Sequence, residues 1–317
     1  MRSYVAIVLL FVGVVRAASV ATPNCGGTTA GKDIKLVMPT NPPRQCEYHI
    51  NAYSKYVCQL RIDFAMTLAQ PTLQQQSQGL MAAECTEDYF EVNGLRLCGV
   101  EVWQHIYVPF NATAGVSRVD LLIALANRGG GSSLPSPAWN MVVTQLECPA
   151  GAAIRELNAP VERASSYNDG FLVAPPGCLQ YFPDAKGVVK SFNYNDGAGI
   201  YPSHLNYAIC FRRSSTTTAL TIRSYFFHVG ATSAASNLLT DSSCYRSGSS
   251  SVQNADFLMV PQATLVDSNQ RATYFCGATN QDVVISSNNP GPLIVLFNSD
   301  GIYEPHDEGF AFTYTVE

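Results

Sequence analysis

Ten cysteines follow an apolar N-terminal run, and that combination constrains the fold more than any other feature of the chain. The start reads Met1-Arg2-Ser3-Tyr4, then Val5 to Val15 almost wholly apolar, then Arg16-Ala17-Ala18. This is the order of a secretory signal peptide, too short to span a bilayer and with small residues for cleavage near Ala17, so residues 1–17 are assigned to it. An even set of cysteines behind such a leader belongs in an oxidising compartment, where disulfides are favoured over metal ligation. No Cys-x-x-Cys occurs. The expected location is secreted and extracellular, and the sequon Asn111-Ala112-Thr113 is the candidate glycosylation site.

At 317 residues each half of the chain can bury a core of its own without depending wholly on crosslinks. Charged residues make up 14% and the net charge is −5, which argues against a nucleic-acid partner or a polybasic membrane patch. The later apolar runs, 119–126 and 292–297, have strand length, so no membrane span is expected.

Strand signals dominate. Cys58, Leu60, Ile62 and Phe64 alternate with Gln59, Arg61 and Asp63, and Cys46, Tyr48 and Ile50 share one face of a second strand. Phe310, Phe312, Tyr314 and Val316 alternate at the far end, whereas Leu293 to Phe297 is apolar throughout, as for a strand covered on both faces or a central strand under loops. Turn clusters such as Gly129 to Pro135, Asn195-Asp196-Gly197 and Ser286 to Gly291 separate these runs. Short strands between such clusters predict an all-β sandwich. The landmarks recur in order in the two halves, so two copies of one fold are expected, with 149–169 as linker.

The landmarks resemble those of the CUB family, compact antiparallel β-sandwiches of the jelly-roll type. Cys25-Gly26-Gly27, Cys46-x-Tyr48-x-Ile50, Cys85-x-x-Asp88-Tyr89 and Cys98-Gly99 carry the likeness in the first half. Cys276-Gly277, Phe297-x-Ser299-Asp300 and Gly309-Phe310 carry it in the second, where the Cys178 region departs from the Cys-Gly-Gly opening. The resemblance implies two tandem CUB-like domains, 25–148 and 170–317. It also implies the pairs Cys25–Cys46, Cys85–Cys98, Cys178–Cys210 and Cys244–Cys276, leaving Cys58 and Cys148 to pair by elimination. Cys25 with Cys148 remains an alternative, because sequence alone does not fix connectivity.

Many CUB domains bind calcium at one sandwich end, and calcium wants six to eight oxygens from several converging groups. The first half offers Asp88 but has Asn127 where a second Asp is implied, so calcium is not expected there. The second offers Asp256 and Asp300, without the implied Glu, while Glu304, Asp307 and Glu308 crowd the following loop and can substitute. The plainer reading makes these carboxylates solvated turn residues bonded to their own backbone. No cofactor is required on either reading, and calcium is the one optional ion. The histidines show no metal spacing; His49 is expected on a solvated face and His306 in an exposed loop.

No Gly-x-Ser-x-Gly, Gly-Asp-Ser-Gly or His-Glu-x-x-His occurs, so an enzyme is not expected. Tyr194, Tyr201 and Tyr303 fall in turn-rich segments and are candidate contact residues. The expectation is a secreted, non-catalytic protein that binds an extracellular protein or a glycan through sandwich-end loops, with Tyr303, Glu304, His306 and Asp307 as the binding loop. The alternative is a regulatory, non-enzymatic relative of CUB-bearing serine proteases that binds the partners of such proteases.

Overall fold

Alternation along the chain becomes strands in which every second side chain is buried. In Gln45–Asn51 the residues Cys46, Tyr48 and Ile50 point inward at 0% exposure. In Val57–Thr67 Leu60, Ile62, Phe64 and Met66 do the same. The computed structural model describes residues 20–110, 112, 115–129, 133–148, 169–233, 237–244 and 256–317. The expected signal peptide, most of the linker and the Asn111 sequon lie outside the described residues.

The protein is an all-β structure of antiparallel sandwiches. Up to residue 147, one sheet runs Thr28–Thr29, Gln45–Asn51, Arg118–Ala124, Tyr89–Val92, Leu95–Leu97. The sheet facing it runs Asp33–Val37, Ala138–Glu147, Val57–Thr67, Val100–Pro109. Tyr48 stands in the core between them, its hydroxyl accepting a hydrogen bond from Trp139 Nε1 at 3.1 Å. From residue 178 onward ten strands form one continuous sheet whose path starts at Cys178–Phe182 and ends at Gly309–Val316 and Lys186–Lys190. Its core is aromatic: Phe192, Tyr201, Phe297, Phe310 and Phe312 are all buried.

Strands before residue 148 pair with one another, and so do those after 177. The disulfides respect the same division, joining Cys25–Cys46, Cys58–Cys148, Cys85–Cys98, Cys178–Cys210 and Cys244–Cys276. These are the pairs the resemblance implies, and the Cys25–Cys148 alternative drops out. Each closed loop stabilises the fold by about 2–4 kcal/mol, chiefly by constraining the unfolded chain.

Leu293–Asn298 lies centrally, between Asn206–Phe211 and Phe257–Leu265, with Leu293, Val295 and Phe297 buried on its inner face and Ile294 and Leu296 half-buried on the outer one. Ile294 packs on a second, smaller core made by Tyr107, Leu146, Ala174, Cys178, Tyr181 and Cys210, which holds the two halves together. The apolar outer face of this strand is thus explained by what lies against it.

Candidate functional site

Polar groups complete the seam between the halves. Gln104 Nε2 donates to the carbonyls of Lys190 and Ser191, and its Oε1 accepts from Gln180 Nε2 at 3.1 Å. His105 Nε2 lies 2.9 Å from the Tyr181 carbonyl, and burial pushes its pKa down to about 4. Asn193, wholly buried, fills the junction. Its backbone N–H donates to Glu101 Oε1, its amide donates to Gln70 Oε1 and the Ile200 carbonyl, and its Oδ1 accepts from the Val100 N–H. Glu101 is completely buried, and desolvation holds its carboxyl well above the usual range. Gly99 permits this approach: at φ +82° with no side chain, it leaves the space that a Cβ would contest with the Asn193 side chain. At the other end of the seam Asp169, assigned to the linker in the sequence, is buried against Lys32 Nζ at 2.7 Å.

Where the seam reaches solvent, one side chain stands out. Asp63 pairs with His105 and Ala65 with Val102, so Trp103 and Gln104 together oppose Phe64 in a β-bulge. The bulge turns Gln104 into the seam and Trp103 outward, where its indole is 91% exposed at φ +65°. A bulge of this kind usually takes glycine, and a bulky residue held in left-handed backbone is a true outlier. Trp103 borders a cleft of about 330 Å³ with Val102, Gln104, Lys190, Tyr194 and Asp196. Opposite it, Asn193, Asn195 and Asp196 also have positive φ, in residue types that tolerate it. Lys190 Nζ pairs with Asp196 at 3.1 Å and sits over the Tyr194 ring, 5.4 Å from its centroid. Tyr194, expected as a contact residue, is a buried wall of this cleft at 6% exposure.

The acidic residues weighed for calcium occupy two different environments. In the first half Asp88 is 1% exposed; it accepts from the Ala69 and Ala126 N–H groups at 3.0 and 2.9 Å and pairs with the Arg128 guanidinium. Arg128 already neutralises this carboxylate, so the donor set does not fit a metal ion.

In the second half Asp256 and Asp307 are each 3% exposed, which corrects the reading of solvated turn carboxylates. Both come within 2.6 Å of the Tyr201 hydroxyl. Backbone N–H groups of Asp300, Gly230 and Glu304 also donate to them. Tyr201, expected as an exposed loop residue, is 2% exposed at the centre of this cluster. A phenol has one proton and cannot donate to both carboxylates at once. Burial raises the pKa of both acids, Asp307 to about 7, and the nearby Asp300 and Asp307 charges push Asp256 further. Among the described residues no Lys or Arg pairs with Asp256 or Asp307, and the oxygen-only donors around Tyr201 fit a hard cation. Asp256, Asp300 and Asp307 are the residues that would hold calcium.

The expected binding loop turns partly inward. The Tyr303 N–H donates to the Met81 carbonyl at 2.6 Å and the neighbouring Ser203 N–H to the Ala83 carbonyl at 2.8 Å, both in the first half. Tyr303, Glu304 and His306 are half-buried and Asp307 is buried. His49, expected to be solvated, lies 2.7 Å from Asp120 with its side chain 16% exposed.

Residues 175–317, somewhat under half of the chain, match the family model for the animal CUB domain. No curated protein matches the sequence. Among solved structures the chain is similar to the CUB1-EGF-CUB2 domains of rat MASP-1, at 12% identity and a TM-score of 0.28, covering 91% of this chain and 99% of that one. The CUB1-EGF-CUB2 domain of human MASP-1/3 gives 12% identity and a TM-score of 0.27, with 90% and 100% covered. The extracellular region of zebrafish Gpr126/Adgrg6 gives 10% and 0.25, with 94% and 36% covered.

Proposed function

We propose that the chain is a secreted, non-catalytic protein that binds an extracellular protein at the seam between its halves, with Trp103 as the anchor. The animal CUB match over 175–317 supports an extracellular-type, protein-binding module. The observation that carries the reading is Trp103 itself, an indole held in solvent by backbone that costs free energy to maintain. Strained positions persist where the surrounding structure imposes them, and they concentrate at functional sites. Exposed tryptophan beside a cleft is the residue type that dominates protein–protein binding energy. The two sandwiches, joined by a buried seam, supply the rigid frame on which the cleft is displayed.

Calcium acts in this reading as a structural ion at the acidic end of the second half, where it would neutralise Asp256 and Asp307 and fix the loop that meets Met81 and Ala83. It supplies charge and no chemistry.

The test is affinity capture from extracellular fluid with the wild-type protein and Trp103→Ala in parallel. A protein retained by the wild type and lost with the variant supports the proposal. Equal retention by both, or capture of free glycan alone, overturns it. Serine proteases or their zymogens as the Trp103-dependent partners would identify the chain as the regulatory relative of such enzymes.

A further inference from the structure

Beside the acidic end, on the strand pair that closes the second sandwich, His228, His306 and Glu308 converge. His228 lies near the end of Leu220–Val229, and its backbone pairs with Gly309, so Glu308 stands next to it. A separate bridge between Ala231 and His306 fixes the other ring. The carboxylate meets both imidazoles: Glu308 Oε2 is 3.0 Å from His228 Nδ1, and Oε1 is 3.3 Å from His306 Nδ1. Ligand atoms from the three residues all lie within 4.8 Å of one another.

We propose that these three side chains form a transition-metal site, with Zn²⁺ as its ion. Zinc bonds to imidazole and carboxylate are about 2.0–2.2 Å long, so neighbouring ligand atoms of a tetrahedral shell sit roughly 3.3–3.5 Å apart. The two separations here, 3.0 and 3.3 Å, are close to that spacing before any ion draws the groups together. Two imidazoles with one carboxylate select zinc over calcium, because imidazole nitrogen suits the softer ion.

The surroundings favour an ion as well. Among the described residues no Lys or Arg pairs with Glu308, whose ion-pair partners are the two imidazoles. His228 is 6% exposed, so its Nδ1 meets Glu308 away from bulk water. His306 and Glu308 keep 25% and 24% of their side-chain surface, which gives an ion a route of entry and leaves the fourth position to water. Chemically the step is a ligand exchange, in which Zn²⁺ gives up bound waters for two neutral imidazoles and the Glu308 carboxylate, each ring keeping its one hydrogen on the nitrogen that does not bind the ion, and nothing is oxidised or reduced.

The site is distinct from the oxygen cluster of Asp256, Asp300 and Asp307, and separate variants keep the two apart. The experiment is calorimetric titration of the full, disulfide-intact, chelator-treated protein with Zn²⁺, then with Co²⁺ read by its visible absorption. One zinc per chain is expected, with a tetrahedral cobalt spectrum. Both His306→Ala and Glu308→Gln should weaken zinc binding roughly 100-fold or more while melting as the wild type does without metal. Asp256→Asn should leave zinc binding unchanged. No zinc binding by the wild type, or undiminished binding by His306→Ala, overturns the site, and so does loss of zinc binding in Asp256→Asn.

Discussion

Replacing Trp103 by glycine should leave the protein as stable as before or slightly more so, while weakening partner binding about thirtyfold or more. At 91% exposure the indole contributes almost no burial to the fold, so its removal forfeits little hydrophobic stabilisation. The backbone at φ +65° is left-handed, and relieving a side chain there returns about 1–2 kcal/mol. Against this, glycine adds chain entropy to the unfolded state, roughly 0.5–1 kcal/mol. The net change is between about zero and 1.5 kcal/mol in favour of Trp103→Gly. An exposed aromatic anchor typically carries about 2 kcal/mol or more of binding, roughly a thirtyfold loss of affinity when removed. Urea unfolding measures the first quantity and partner titration the second. A destabilisation above about 1 kcal/mol would show that the indole packs in the folded state and refute the strain argument. Unchanged affinity would refute the role of Trp103.

The remaining predictions concern the seam and the charged ends. Asn193→Ala strands the Val100 N–H and Gln70 Oε1 and should cost about 2–5 kcal/mol, seen as two calorimetric transitions where the wild type shows one. Glu101→Gln keeps the acceptor for the Asn193 N–H and removes a buried acid. Because the folded Glu101 pKa is raised, its contribution is fully present below the unfolded value and is lost as pH rises toward the folded one, so the advantage of the variant should grow with pH in melting experiments. His105 has the opposite sign: its pKa falls from 6.5 to about 4, so its stabilisation is full above pH 6.5 and is lost on acidification to about pH 4. This amounts to about 3 kcal/mol that a pH series on His105→Gln should lack. Arg128→Ala leaves Asp88 buried without its cation and should cost about 3–5 kcal/mol in urea unfolding, with Asp88→Asn in the same chain recovering most of it. Calcium at about 100 times its dissociation constant should stabilise the wild type by roughly 2.7 kcal/mol in a thermal melt and leave Asp256→Asn unmoved.

The sandwich was legible because its signal is local. Cys46, Tyr48 and Ile50 alternate, as do Leu60, Ile62 and Phe64, and burial follows the alternation residue by residue. The seam was not legible, since Glu101, Gln104 and Asn193 read as surface residues in any local window. They are buried because a distant strand or loop supplies each with a hydrogen-bond partner. Tyr194 and Tyr201 misled for a related reason: turn-rich flanks suggest exposure, but the phenol of Tyr201 is drawn in by two carboxylates remote in sequence. Trp103 had no signature, because the bulge that expels it is marked by glycine in most chains and here is not. At the acidic end Asp256 and the crowded 304–308 loop were recognised, whereas the pairing of His228 with Glu308 across 80 residues depends on strand register.

The binding claim is tested most directly by photo-crosslinking. A photoreactive amino acid is placed at position 103, and separately at the exposed control Val266, and the protein is irradiated in extracellular fluid. The account predicts one dominant protein adduct at position 103, competed away by unlabelled wild type and absent at position 266. Adducts of equal yield at both positions, or none at 103, would contradict it.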